Sequence, residues 1–422
     1  MLDIKRIREQ PDLVKKAMQN KGEADTSVVD TLLDLDEKWR QSVKKADELR
    51  NESKQTARQI GELKKAGEHD KAQKVMDETA RMKQELKELE QTERSLLQER
   101  DEYLLQVPNI ADESVPVGHS EDENEVVHTW GEVSDISTGK PHWELDIEGG
   151  RLDFERGAKV TASGFPFYVG KIARLQRTLI NYFIDVAAQK GYQELQVPFL
   201  VNEDSARGTG QIPDKEDMMY EVQRDGFYAI PTSEVPVTNF HRDEILKKEE
   251  LPVKYVCHSP CWRREAGSYG KDVKGLNRLH QFDKVELVKM VPPETSYDEL
   301  ESLRQDAEYL LEQLKLPYRT LLMCTGDMGF TQSKKYDMEV WSPAQQRWLE
   351  VSSCSNFEDY QARRMKLRYK NDEGKTTFLH TLNGSGLALP RVMAALLEHY
   401  QTEDGRIKVP DVLQERMGSE YL

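Results

Sequence analysis

From Leu35 to Tyr103, apolar or small residues recur among charged ones at alternating steps of four and three. One series runs Leu35, Trp39, Ser42, Ala46, Leu49, Ser53, Thr56, Ile60 and Leu63. A second runs Ala72, Val75, Thr79, Met82, Leu86, Leu89, Glu93, Leu96, Arg100 and Tyr103. A sustained 3.5-residue repeat is the seam of a coiled coil. No proline interrupts either series, and KKAGEHD with Gly67 separates them, so the pattern predicts an antiparallel helical hairpin. At about 1.5 Å per residue each arm reaches roughly 45–50 Å. Small and polar seam members predict moderate stability. On the repeat alone, a dimerisation coiled coil or solvated spacer competes with a projecting arm that touches a large partner.

Periodicity changes after residues 107–125, VPNIADESVPVGHSEDENE, whose Pro, Gly and acidic content predicts a linker. Residues 172–191 read as an amphipathic helix ending at Gly191. A strand carrying Pro198 follows at 192–201. Further strands are predicted at 227–230, 253–259, 282–290, 336–342 and 347–355, and helices at 233–248, 296–315 and 385–400. Strands and helices do not alternate regularly, which predicts an α+β fold with an antiparallel sheet and helices packed against it. The expected organisation is a hairpin domain at 1–106, a linker at 107–125 and a body at 126–422.

Charge sharpens this division. The 422 residues carry a net −16, yet residues 36–104 hold 16 Lys and Arg against 17 Asp and Glu. The acidity argues against a general nucleic-acid coat protein, which needs a basic stripe. No run approaches the roughly 18 apolar residues of a membrane span, and MLDIKRIREQPDLV lacks the apolar core of a secretory signal. Cys257, Cys261, Cys324 and Cys354 have no spacing that completes a zinc site, so reduced thiols and a cytosolic compartment are expected. Neither a P-loop nor a Rossmann fingerprint occurs.

Candidate chemistry concentrates in residues 259–287, SPCWRREAGSYGKDVKGLNRLHQFDKVEL, read as two strands joined by a basic loop. Arg263 and Glu265 are two apart and should share a strand face, as should Phe282 and Glu286. A guanidinium suits phosphate or carboxylate oxygens, a carboxylate can accept from an exocyclic amine, and a phenyl ring can stack on a base. The set fits a nucleotide, although surface salt bridges with a core Phe would read the same. Glu350 with Ser352 and Ser353 could hold Mg²⁺ or simply cap a turn. Residues 381–400, TLNGSGLALPRVMAALLEHY, read as a Gly-rich turn opening a helix with Ser385 as N-cap. Pro390 would then lie inside that helix, where it costs the hydrogen bond to Gly386.

Taken in order, Pro198 in its strand, Arg263-x-Glu265, and Gly386-Leu387-Ala388 with Arg391 resemble motifs 1, 2 and 3 of the class II aminoacyl-tRNA synthetases. The hairpin, PTSE at 231–234, TGDMGFTQSKKYDMEVW at 325–341 and EVSSCSNFEDYQARR at 350–364 resemble the bacterial-type seryl-tRNA synthetases across essentially the whole chain. Members of that family often carry Gly where this chain has Pro390. The resemblance implies ATP-dependent activation of L-serine and its transfer to tRNA-Ser, with tRNA-Sec a second candidate, in a cytoplasmic homodimer joined through motif 1. Arg263 and Arg391 would be catalytic. Arg263, Arg264, Glu265, Arg278, Phe282, Glu350, Val351, Ser352, Ser353 and Arg391 would contact ATP, with Mg²⁺ on Glu350 and Ser353. Serine would meet Thr232, Ser233, Glu234, Arg263, Glu286, Asn383 and Ser385. The loop 266–277 would order over ATP and then meet the acceptor end of the tRNA, whose variable arm the hairpin would hold. A synthetase-like protein that loads a carrier protein and an inactive coiled-coil adaptor are the rival readings.

Overall fold

The computed structural model describes residues 1–133, 139–265 and 274–422. The chain divides into two compact units: residues 2–19 with 23–108, and residues 109–422 with Met1 and residues 20–22.

In the first unit two short helices, α1 (Ile4–Glu9) and α2 (Pro11–Asn20), precede α3 (Ser27–Lys65) and α4 (His69–Leu104). The last two form the predicted hairpin, with Gly67 at φ +76 in the turn between them. Every seam position named above is buried or half-buried, while most intervening positions are exposed. Ala72 and Thr79 are buried toward the turn, and Val29, Leu32, Leu35 and Ala46 toward the base. There the buried Asp36 carboxylate receives Arg8 Nε (2.9 Å), Arg40 Nε (3.0 Å) and Arg100 Nη1 (3.4 Å). Arg100 also lies 4.7 Å over the Trp39 ring, so one charge cluster ties α1, α3 and α4 together.

The second unit is built on an eight-stranded sheet. Its strands are β1 (Glu125–Trp130), β2 (Gln193–Leu195), β3 (Val253–Trp262), β4 (Gln281–Val291), β5 (Tyr318–Leu322), β6 (Lys334–Ser342), β7 (Arg347–Asn356) and β8 (His380–Ala388). Their order is β1-β5-β6-β7-β8-β4-β3-β2. All pairs are antiparallel except β2 with β3. Helices α5 (Lys171–Gln189), α6 (Ser296–Gln313) and α7 (Leu389–His399) share the main core with it through Leu179, Phe183, Leu303, Leu311, Val392 and Leu396. Truncating a fully buried ring such as Phe183 to Ala would cost roughly 3–5 kcal/mol. The α+β architecture expected from the pattern is the one observed.

Four local expectations fail for identifiable reasons. Pro198 has no N–H to continue a ladder. The predicted strand therefore splits into β2 and Leu200–Asn202, which belongs to a separate three-stranded sheet. The predicted helix 233–248 stops after Glu234–Thr238 and a 3₁₀ turn at Asn239–His241, and Asp243 then takes φ +64. Residues 385–388 belong to β8, so Ser385 is not an N-cap. Pro390 stands in the first turn of α7, where no intrahelical N–H bond is lost. Within the expected 107–125 linker, residues 109–118 belong to the second unit. Asn109 is buried, and its Nδ2 donates to Thr331 O (3.0 Å) and Phe357 O (2.9 Å).

Candidate active site

Alternation along β4 produces the site. Val285 and Leu287 enter the main core, so Lys284 and Glu286 face the opposite side. With Phe282 they line a cleft of about 560 Å³. Neighbouring β8 contributes Asn383 and Ser385, with Ser385 in register with Glu286. β7 contributes Glu350, Val351, Ser352 and Ser353, and α7 contributes Arg391.

Arg263 and Glu265 reach the cleft by a route that strand alternation did not describe. β3 ends at Trp262, and Glu265 takes the left-handed φ of +50. The Arg263 guanidinium lies 5.1 Å from the Phe282 ring centroid, and its Nε donates to Pro231 O at 3.3 Å. Glu265 Oε2 accepts from Arg278 Nε at 2.5 Å. Arg391 bridges two walls, donating from Nε to Asn277 O and from Nη1 to Glu350 O, both at 2.9 Å. Its Nη1 is 3.6 Å from the Glu350 carboxylate. The cleft walls disfavour a charged Glu350, but Arg391, ahead of Lys335, outweighs them and holds it below its ordinary range.

At the other end is a pocket of buried polar groups. Thr232 Oγ1 accepts from Lys284 Nζ (2.8 Å), which also lies 2.5 Å from Glu286 Oε2. Burial pushes Glu286 up to about 7 against the pull of Lys284. Glu234 is raised by the same cause, although Gln361 Nε2 donates to its Oε1 at 2.7 Å. Two buried carboxyl groups thus lie near Lys284, with Lys215 also close to Glu234 and Arg263 to Glu286.

Most of the expected site residues therefore meet in one cleft. Ser233 and Arg264 stand apart. Ser233 is buried with its Oγ 2.6 Å from Ser259 Oγ, and the Arg264 side chain is exposed. Residues 266–273 of the expected ATP-covering loop lie outside the described residues. Lys284, Lys215 and Lys335 also line the cleft beyond the expected residues, as does Asn277 at the end of the expected ATP-covering loop. Lys284 was within reach of the period-two rule, since it lies between Phe282 and Glu286.

For Mg²⁺, the half-exposed Glu350 carboxylate and the Ser353 hydroxyl are hard oxygen donors on one wall. Among the described residues no three His, Cys, Asp or Glu side chains form a closed cage. That donor set fits an ion that draws its remaining ligands from phosphates and water.

Comparison with known proteins covers both units of the chain. Residues 1–111 match the seryl-tRNA synthetase N-terminal domain, and residues 220–400 match the class II tRNA synthetase core domain (G, H, P, S and T). A serine–tRNA ligase of Salinibacter ruber is 54% identical over 99% of this chain and 98% of its own. That of Thermotoga maritima is 46% identical over the full length of both. The crystal structure of seryl-tRNA synthetase from Pyrococcus horikoshii complexed with ATP superposes with a TM-score of 0.93 at 37% identity, covering 100% of this chain and 99% of that one. Similarity of this extent, in both the hairpin and the core that carries the cleft, places the chain in the seryl-tRNA synthetase family of class II aminoacyl-tRNA synthetases.

Proposed function

We propose that the protein activates L-serine with ATP and transfers the seryl group to the 3′-terminal adenosine of tRNA-Ser, with the cleft residues in the following roles. The observation that carries this reading is the continuity of the cleft: an arginine–phenyl platform opens directly into a pocket lined by buried carboxyl, hydroxyl and amide groups. Phe282 stacks on adenine, and Glu265, steadied by Arg278, accepts from its amino group. Arg263 holds the α-phosphate and the serine carboxylate, while Arg391 holds the far end of the triphosphate. Glu350 and Ser353 would hold Mg²⁺, which supplies charge neutralisation to the phosphates. The serine ammonium and hydroxyl settle among Thr232, Glu234, Glu286, Asn383 and Ser385.

A serine carboxylate oxygen then bonds to the α-phosphorus as the bond to the pyrophosphate oxygen breaks. No protein nucleophile takes part, so rate comes from alignment and from fixed positive charge where negative charge develops. In the second step a ribose hydroxyl of the tRNA attacks the seryl carbonyl, its proton is lost, and AMP departs. The domain assignment follows: residues 1–106 contact tRNA by shape and phosphate, 107–125 connect, and 126–422 catalyse.

A homodimer through motif 1 is supported by apolar surface beside Pro198, where Phe199 and Leu200 remain 38% and 47% exposed. No helix among the described residues is long and apolar enough to cross a membrane. Serine-dependent ATP–pyrophosphate exchange tests the first step. Charging of tRNA-Ser tests the second, with tRNA-Sec as the companion substrate. A protein that exchanges but charges no tRNA would overturn the second half of the assignment.

A further inference from the structure

Two ends of α7 grip one short segment of backbone. Arg391 and Glu398 are seven residues apart, two helical turns, and so share a face. Arg391 holds the segment through Asn277 O. Glu398, 2% exposed, accepts from the His142 backbone N–H (3.3 Å), His142 Nδ1 (2.8 Å), Gln345 Nε2 (3.0 Å) and Ser342 Oγ. An ionised carboxylate only accepts, so the His142 proton sits on Nδ1 and leaves Nε2 as an acceptor. His142 Nε2 takes the Leu276 backbone N–H at 2.8 Å. Gln345 Oε1 takes Asn277 Nδ2 at 2.9 Å. Glu398 therefore reaches both Leu276 and Asn277 through one intermediary each.

The fit is close. Gly275 takes φ +64, and a Cβ there would lie 2.1 Å from His142 Nε2. Neither His142 nor Glu398 lines the cleft. Burying both has a desolvation cost that apolar residues of equal volume would avoid, so stability alone is a weak reason for them.

We propose that Glu398 and His142 form a positioning couple for adenylation. They fix Leu276 and Asn277, and through the Asn277 carbonyl they aim the Arg391 guanidinium while holding the root of Arg278. The proposal rests on the adenylation reading above. Its selectivity is for the nucleotide, since Arg391 and Arg278 serve ATP and the serine pocket is built from β4, β8 and residues 232–234.

An asparagine amide overlays Nδ1 of a histidine, and a glutamine amide overlays Nε2. His142→Gln thus keeps an acceptor for Leu276, whereas His142→Asn keeps only the donor to Glu398. The experiment is pyrophosphate exchange with the full chain, with active sites titrated. His142→Asn should raise the KM for ATP about tenfold, as expected when a buried N–H loses its partner, and leave the KM for serine within about twofold. His142→Gln should recover most of that loss. Should both fail to fold, Glu398→Gln, of equal size, must raise the KM for ATP selectively. The couple is overturned if His142→Asn and His142→Gln behave alike. It is equally overturned if the ATP and serine constants rise together, or if only the titrated fraction falls. A wild type without serine-dependent exchange would overturn the enzymic reading instead, and ATP titration calorimetry on the same variants would then decide the couple.

Discussion

Glu286 gives the serine pocket a built-in pH dependence. Its side chain is 2% exposed, and burial moves its carboxyl from the ordinary 4.5 to about 7 despite Lys284 at 2.5 Å. At about 1.4 kcal/mol per decade, ionising it in the free pocket costs about 3 kcal/mol more than in water. A serine ammonium adds positive charge beside it, so the complex favours the ionised form. Between pH 6 and 8 serine itself does not change charge. The KM for serine should therefore follow the protonated fraction of Glu286 and rise roughly tenfold as pH falls from 8 to 6. Stability has the opposite dependence. A raised carboxyl pKa favours the folded state fully below about 4.5, and that contribution is lost as pH rises through about 7. By binding the ionised form, serine restores the loss and should raise Tm more at pH 8 than at pH 6. Exchange kinetics at saturating ATP and a thermal melt with and without serine make the two measurements. Glu286→Gln should flatten the KM profile, and Lys284→Met should move its rise to higher pH. A KM that stays flat, or falls toward pH 6, would refute the reasoning.

Arg263→Lys keeps the charge but loses the planar fork that spans Pro231 O and the Phe282 ring. Exchange should slow by a barrier of roughly 2–4 kcal/mol, so near-normal exchange would remove Arg263 from its role. Asp36→Asn leaves three arginines without their shared carboxylate. Because Arg8 and Arg40 are partly hydrated, the loss should sit at the lower end of the roughly 3–5 kcal/mol for breaking a buried pair, read from a urea titration. Replacing residues 30–104 by a short Gly-rich bridge should leave serine-dependent exchange intact and sharply lower transfer to tRNA-Ser. Undiminished charging would show that the hairpin is not the tRNA arm, and loss of dimerisation would favour the coiled-coil reading.

What was legible in the sequence follows from the range of the interactions involved. The seam from Leu35 to Tyr103 is a periodicity within single helices, and the structure buries or half-buries those positions in that register. Phe282 and Glu286 were placed together by the same local logic on a strand. The two-residue spacing of Arg263 and Glu265 also suggests strand neighbours, but they come together only after the strand has ended, in a turn that gives Glu265 a positive φ. Ser385 looked like a helix cap because Gly384 and Gly386 suggest a turn. Register with Glu286 on one side and Cys354 beside Gly384 on the other holds this stretch extended instead.

The His142 network shows where reading along the chain stops. His142 and Leu276 are 134 residues apart, and nothing local to HWE or to GLN marks them as partners. The chain does contain a physical constraint, because a buried histidine and a buried glutamate must each find a partner. That constraint says a partner exists without naming it. Naming it requires the order of the sheet, which brings the β6–β7 turn, the Pro141–Glu144 segment and the far end of α7 together behind the cleft. The groups that touch substrate are therefore recognisable by their chemistry, whereas the groups that aim them become visible only once the topology is known.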